Sequence, residues 1–321
     1  MPQNTKAIKT RIKSVRNTKK ITKAMEMVSA AKMRRAVAAA LSTRPYAAMA
    51  RTLMEHLSEL QEAKDELLAT RPVRHILLVF ISSNRGLCGS YNSNLFKRIG
   101  AILADKINLG RHRVPGAADI LPAGEVAVSV LGIGKKSAAF AKRNSYPLVA
   151  VFDTLTEQKD LAELLPVARL IMDEFRKGTY DKVVVAYTDY VSSLAQEPKI
   201  RQLLPISPVD LHKMLERLGG NQAEVETENS LNQYPIEEYI FEPGIEAILH
   251  YILPRLVEVQ LYQAVLESAA SEHSARMLAM RNASDAAGEM IDELQLSSNK
   301  ARQAGITQQI AEIAAGAAAL G

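Results

Sequence analysis

The chain has 321 residues, 40 Lys and Arg against 35 Asp and Glu for a formal charge of +5, and 47% hydrophobic residues with a mean hydropathy of −0.06. That composition excludes wholesale disorder and a collagen-like chain, and no apolar run approaches the about 18 residues of a membrane span. One cysteine, Cys88, excludes an intramolecular disulfide and a multi-cysteine metal site, and fits a reducing compartment.

Charge and alanine are unevenly placed. Residues 1–51 carry 13 Lys/Arg and one acid, Glu26, a local +12, so the remaining 270 residues sum to −7. Residues 1–51 and 255–321 hold 27 of the 45 alanines but only two of the 16 aromatics, Tyr46 and Tyr262. No Gly precedes Gly86, and Pro is absent between Pro2 and Pro45 and after Pro254. Both ends therefore read as long helices. Ile8, Ile12 and Val15, then Ile21, Met25 and Val28, step by three and four, the spacing of a coiled-coil seam. Leu249, Ile252, Leu256 and Val259, and later Ile306, Ile310 and Ile313, repeat it. Runs of 5–60 and 255–320 would span roughly 80 and 100 Å, so the helices are expected to extend beyond a compact domain and pair antiparallel. Pro254 is expected to kink the second helix or mark its first turn.

Between them strands and helices alternate. His75–Ser82, Val126–Leu131, Leu148–Phe152 and Val183–Tyr187 read as apolar strands, and 93–108, 135–144 and 160–177 as helices. This pattern predicts a mostly parallel sheet covered on both faces. Arg111–Glu125 reads as a loop, 219–235 as a polar surface excursion, and Glu238–Phe241 as a short returning strand.

Such a domain invites a nucleotide reading, and the motifs fail it. Gly132-Ile133-Gly134-Lys135-Lys136-Ser137 lacks the third Gly of a dinucleotide fingerprint, while Ser129 and Lys136 break the P-loop pattern. A glycine turn into a basic helix accounts for it. Segment 82–92, SSNRGLCGSYN, could form a nucleophile loop, with Arg85 beside Cys88. The six histidines are scattered, without H-E-x-x-H, and no G-x-S-x-G occurs. Cys88 therefore reads as a packed residue, and no catalytic, cofactor or metal site is identified. The basic N-terminal arm has the low acid content of a mitochondrial presequence, but its helical pattern runs on to residue 60, so cleavage would remove structural seam. A nucleic-acid-binding basic coiled coil and a basic stalk inside an acidic protein partner both remain compatible with its composition.

Residues Ile21–Arg35, ITKAMEMVSAAKMRR, closely resemble the gamma subunit of F-type ATP synthases. So do Asn84–Asn92 (NRGLCGSYN), Glu267–Asp285 (ESAASEHSARMLAMRNASD) and Glu293–Ala319 (ELQLSSNKARQAGITQQIAEIAAGAAA). Asn84 stands where the family usually has Asp, Gly89-Ser90 where Gly-Gly is common, and Gln309 where a Glu is usual; 206–240 matches poorly. The resemblance implies a long antiparallel two-helix coiled coil from residues 1–66 and 244–321, a central Rossmann-like α/β domain over 72–205 that has lost nucleotide binding, and a surface excursion with a return strand over 206–243. It implies a central rotor shaft without an active site or cofactor of its own, coupling ion-driven turning of the c ring to ATP synthesis or hydrolysis at the alpha/beta sites. Implied partners are the alpha and beta subunits, the epsilon subunit and the c-subunit ring, on the cytoplasmic face of a bacterial membrane. The family's alpha/beta contacts fall on Lys20, Lys23, Met25 and Arg276, and higher up on Arg302, Gln303 and Thr307. Those toward epsilon and the c ring fall on Arg85, Leu87, Cys88, Tyr91, Tyr239 and Phe241. Thiol regulation of the chloroplast type would need a cysteine pair, which one Cys cannot supply.

Overall fold

The computed structural model describes residues 5–43, 65–112, 119–122, 124–156, 160–206 and 244–320. The expected helix beyond residue 43, much of the 111–125 loop, the 219–235 excursion and the 238–241 strand fall outside these. The chain divides into two compact units, Met1–Ala31 with Arg276–Gly321, and Lys32–Ala275. Two helices, α1 (Thr5–Ser42) and α6 (Ile245–Leu320), contribute residues to both.

In the larger unit a five-stranded sheet runs in the order β3-β2-β1-β4-β5. Strands β1 (His75–Ile81), β2 (Ala127–Ile133), β3 (Leu148–Phe152) and β4 (Lys182–Tyr190) are parallel. Strand β5 (Gln196–Leu204) returns antiparallel to β4. Successive side chains of β1 point to opposite faces and both sets are apolar, which only a sheet covered on both sides can bury. Leu77, Val79 and Ile81 pack with Ile171 and Phe175 of α5 (Leu161–Arg176) and with Leu253, Val257 and Leu261 of α6. Ile76, Leu78 and Phe80 pack with Leu95 and Ile99 of α2 (Tyr91–Ala104) and with Phe140 of α4 (Lys135–Arg143).

Three readings of this unit change. The stretch 93–108 is two helices, α2 and α3 (Lys106–Gly110), because the Asp105 carboxylate accepts from the Asn108 backbone N–H and starts a new turn. Strand β5 is invisible to an apolar search because Gln196, Glu197, Lys199, Arg201 and Gln202 dominate it; an edge strand tolerates those charges and Pro198. Leu249 and Leu256 are not coiled-coil seam: they are buried in the core beneath the sheet, and Pro254 lies ten residues into α6, not in its first turn.

In the smaller unit α1 and α6 pair antiparallel. Ile8 and Ile12 cluster with Ile291, flanked by Val15, Leu294 and Ala301, and Lys19 passes over Gly288. On α6 the inward positions are Met280, Ser284, Ala287, Ile291, Leu294, Ser298 and Ala301, an unbroken alternation of four- and three-residue steps. On α1 they are Ile8, Ile12, Val15, Thr22 and Ser29. The expected Ile21–Val28 seam is therefore displaced by one residue. Ile21 and Val28 are 60% and 56% exposed, Met25 is half-buried, and Thr22 and Ser29 are buried instead. The seam favours small side chains because they let the helix backbones approach closely.

Candidate functional site

Three surfaces carry the residues singled out in the sequence. The first is the outside of α1. Lys9, Arg11, Lys13, Arg16, Lys19, Lys20 and Lys23 are all exposed because the seam occupies only one stripe of the helix. The single acid, Glu26, bonds to Lys23 Nζ at 3.0 Å one turn away. Such a surface pair contributes about 0.3–0.5 kcal/mol and leaves the helix strongly cationic. Ile21, Met27 and Val28 add an exposed aliphatic strip among the cations.

The second surface is the end of α6. Beyond Ala301 every side chain through Gly316 is exposed. The expected seam Ile306, Ile310 and Ile313 is thus open, with Ile313 73% exposed. The physical reason is length: Ala301 flanks the cluster made by Ile8 and Ile12 in the first turns of α1, so α1, described from Thr5, runs out near Ala301. Arg302, Gln303 and Thr307 lie on this stretch; the Thr307 hydroxyl donates to the Gln303 carbonyl at 3.0 Å within the helix. Arg276 differs from the other expected contacts. It is buried in the smaller unit.

The third surface is the loop after β1. Arg85 and Leu87 are exposed, and Leu87 has φ +60°. Cys88 and Tyr91 are buried and hold the loop from inside. Asn92 Nδ2 reaches Ser83 Oγ at 2.7 Å and Cys88 Sγ at 3.2 Å, and the Ser83 hydroxyl donates to the Arg85 carbonyl at 2.8 Å. Tyr91 shares a 2.6 Å hydrogen bond with Ser268 of α6, and burial pushes its phenol well above the usual range. Cys88 and Tyr91 are thus packed residues of this chain. Tyr239 and Phe241 lie outside the described residues.

The glycine turn has a steric explanation. A Cβ on Gly132 would sit 2.1 Å from Ser137 Oγ, and one on Gly134, at φ +91°, would sit 2.1 Å from the Ser82 carbonyl oxygen. This close approach brings the loop over the N-terminus of α4, where a nucleotide phosphate would sit in a dinucleotide-binding domain. The amides there are already taken: Lys135 N–H donates to Asn84 Oδ1 at 3.0 Å, Lys136 N–H to the Ser83 carbonyl at 3.2 Å, and Ser137 N–H to the Gly134 carbonyl at 3.2 Å. Asn84 Nδ2 also donates to the Asp153 carbonyl, a bond the Asp usual in the resembling family could not make.

A cavity of about 490 Å³ in the larger unit is lined by Val37, Leu41, Tyr190, Lys199, Gln263 and Glu267. Burial, then the neighbouring Asp189 charge, pushes the Glu267 carboxyl up, and Gln263 donates to its Oε1 at 3.0 Å. Among the described residues no group of His, Cys, Asp and Glu is placed to hold a metal ion, and no helix is long and apolar enough to cross a membrane.

A family model described as ATP synthase matches residues 4–320. The chain is 39% identical over 320 residues to a protein of Dehalococcoides mccartyi named ATP synthase gamma chain, covering 99% of both. It is 42% identical over 320 residues to another so named from Roseiflexus castenholzii, covering 99% of this chain and 98% of the relative. The chain belongs to the ATP synthase gamma-chain family. Solved structures agree in fold. The rotor of Euglena gracilis mitochondrial ATP synthase aligns with TM-score 0.57 at 18% identity, over 94% of this chain and 98% of that one. The central stalk and c-ring structure from Tetrahymena thermophila gives TM-score 0.55 at 22% identity, over 82% and 99%.

Within this gamma-chain framework the expected contact residues sort by exposure. Lys20, Lys23, Arg302, Gln303 and Thr307 are on the open helix surface, as are Arg85 and Leu87 on the loop. Met25 is half-buried at the edge of the seam. Residues that the sequence reading passed over are Ser268, Ser271 and Ser274, buried on α6. Their three-residue spacing inside an alanine-rich run was the available signal; small residues there read simply as close packing.

Proposed function

We propose that this chain is the turning central shaft of an F-type ATP synthase, a non-catalytic subunit that couples ion-driven rotation of a c ring to the alpha/beta catalytic sites. Its helix pair, α1 (Thr5–Ser42) and α6 (Ile245–Leu320), turns inside the alpha/beta sleeve, and its α/β domain engages epsilon and the c ring on the cytoplasmic face of a bacterial membrane. The observation that carries this reading is the helix pair itself. Its seam passes from Ile8, Ile12 and Ile291 to small side chains, while the outer surface of α1 is cationic and aliphatic with one acid, itself paired to Lys23. A helix with that surface suits an acidic protein sleeve, where complementary charge guides encounter and sets register.

Lys20, Lys23, Met25, Arg302, Gln303 and Thr307 are the proposed sleeve contacts, and Arg85 and Leu87 the proposed contacts toward epsilon and the c ring. Shaft orientation then acts as an effector: its unequal contacts shift the conformational equilibrium of each beta site. The test is reconstitution. The chain alone is expected to hydrolyse no ATP, and adding it to gamma-depleted complexes in vesicles is expected to restore ATP-driven ion pumping. Enzyme-like hydrolysis by the isolated chain, or complexes that gain no pumping, would contradict the reading.

A further inference from the structure

Ser268, Ser271 and Ser274 of α6 are 2%, 0% and 0% exposed. A buried serine in a helix ordinarily turns its hydroxyl back onto its own helix carbonyl. These three make bonds to the α/β domain, each to a different element. Ser268 Oγ meets the Tyr91 hydroxyl at the start of α2, at 2.6 Å. Ser271 Oγ donates to the Thr188 carbonyl of β4 at 3.1 Å. Ser274 Oγ donates to the Ser193 carbonyl in the β4–β5 turn at 2.7 Å. On the other side of the same helical turns, Ala269 and Ala270 pack against Ala36 of α1.

The spacing has a mechanical meaning. Each three-residue step rises about 4.5 Å and rolls the attachment point about 60° around the helix. The three bonds therefore grip about 9 Å of helix over about 120° of its circumference. Below them α6 is held to the sheet by Leu249, Leu253, Leu256, Val257 and Leu261. Apolar contact resists separation but has no direction of its own. Hydrogen bonds are narrow in angle and distance, so they resist both sliding along the helix axis and rolling about it. Because the partners sit on α2, β4 and a turn, no single element can rock and release all three.

We propose that Ser268, Ser271 and Ser274, with Tyr91, are positioning residues that key α6 rotationally to the α/β domain, so that torque applied to the domain enters the helix through these hydroxyls. This rests on the rotor reading above. Tyr91 suits the task because burial keeps its phenol protonated and able to donate.

The test uses the assembled complex with the sleeve immobilised and a probe fixed to the exposed Ile107 position of the α/β domain. Its readouts are thermal midpoint, hydrolysis rate, angular spread of the probe at a stalled step, and ions pumped per ATP. Y91F with S268A removes both partners of one bond and leaves no orphan, so stability should be nearly unchanged. That pair, and S268A/S271A/S274A, are expected to keep assembly and hydrolysis within about twofold, to widen the angular spread about twofold, and to lower the pumping ratio. Unchanged spread and ratio would overturn the key, as would losses that only track a fall in thermal midpoint. A wild-type assembly that hydrolyses ATP without turning would remove the rotor reading and the key together. Wild-type turning with indistinguishable variants would remove the key alone.

Discussion

His112 is 2% exposed in a bridge to Ile120, and its Nε2 has no hydrogen-bond partner among the described residues. Burial, and then the Lys182 charge, lowers its pKa to about 4. The imidazole is therefore neutral in the folded state, while the unfolded chain takes up a proton near 6.5. Between those values the unfolded state binds more protons, so stability falls as pH drops from about 6.5 toward 4. After discounting for solvent screening, the loss attributable to His112 is about 1–2 kcal/mol. H112Q is expected to flatten that part of a stability-versus-pH curve from denaturant titration, and an equally steep curve would contradict it. Two glycines make a contrast at the same scale. Gly134 combines φ +91° with a carbonyl 2.1 Å from any added Cβ, so G134A is expected to cost about 3 kcal/mol or more. Gly288 sits mid-helix, where an added Cβ would meet only the Lys19 ammonium at 2.7 Å, the free end of a flexible side chain. G288A is expected to stabilise by about 0.5–1 kcal/mol through helix propensity. Thermal midpoints of the two variants should move in opposite directions.

The elements show a graded seam. Along α1 the heptad positions Ile8, Val15, Thr22, Ser29 and Ala36 shrink step by step from the N-terminal end. Smaller seam residues require closer backbones, so S29L is expected to overpack and cost about 1–3 kcal/mol, whereas I21S, on the exposed face, should change stability by under about 0.5 kcal/mol. Urea midpoints of the two variants check this; equal effects would mean the seam is misassigned. The same gradient explains what could be read from the sequence. Ile8, Ile12 and Val15 were legible because large apolar residues mark a seam wherever the helices are well separated. Ile21 and Val28 carry the hydrophobicity of a seam on the exposed face, so hydrophobicity alone does not mark the buried stripe there. Thr22 and Ser29 fit the seam by size, and the aliphatic side chains beside them stay exposed. Strands β1 to β4 were legible through their continuous apolar runs. Strand β5 was not, since Glu197, Pro198 and Lys199 suit only an edge, and an edge is a property of the assembled sheet. The serine attachments were not legible at all, because their partners, the hydroxyl of Tyr91 and two backbone carbonyls, lie more than eighty residues away in sequence.

At the scale of the molecule the +5 total is a +12 arm and a −7 remainder. Lys20 and Lys23 are exposed and their loss should leave the fold intact, while Arg276 is buried and reversing it would damage the chain itself. K20E/K23E is therefore expected to assemble with normal thermal stability yet pump fewer ions per ATP, most clearly at low ionic strength where surface charge is least screened. A pumping ratio equal to wild type at low salt would show that these charges do not face the sleeve. The central claim is that the helix pair turns as one body with the α/β domain when ATP is hydrolysed around it. Its most direct test is single-molecule observation of a bead attached through L87C in an immobilised alpha/beta assembly. The expected result is one-way stepping on adding ATP, one step per beta site in each turn. Steady ATP hydrolysis with a bead that only diffuses about a fixed angle would contradict it.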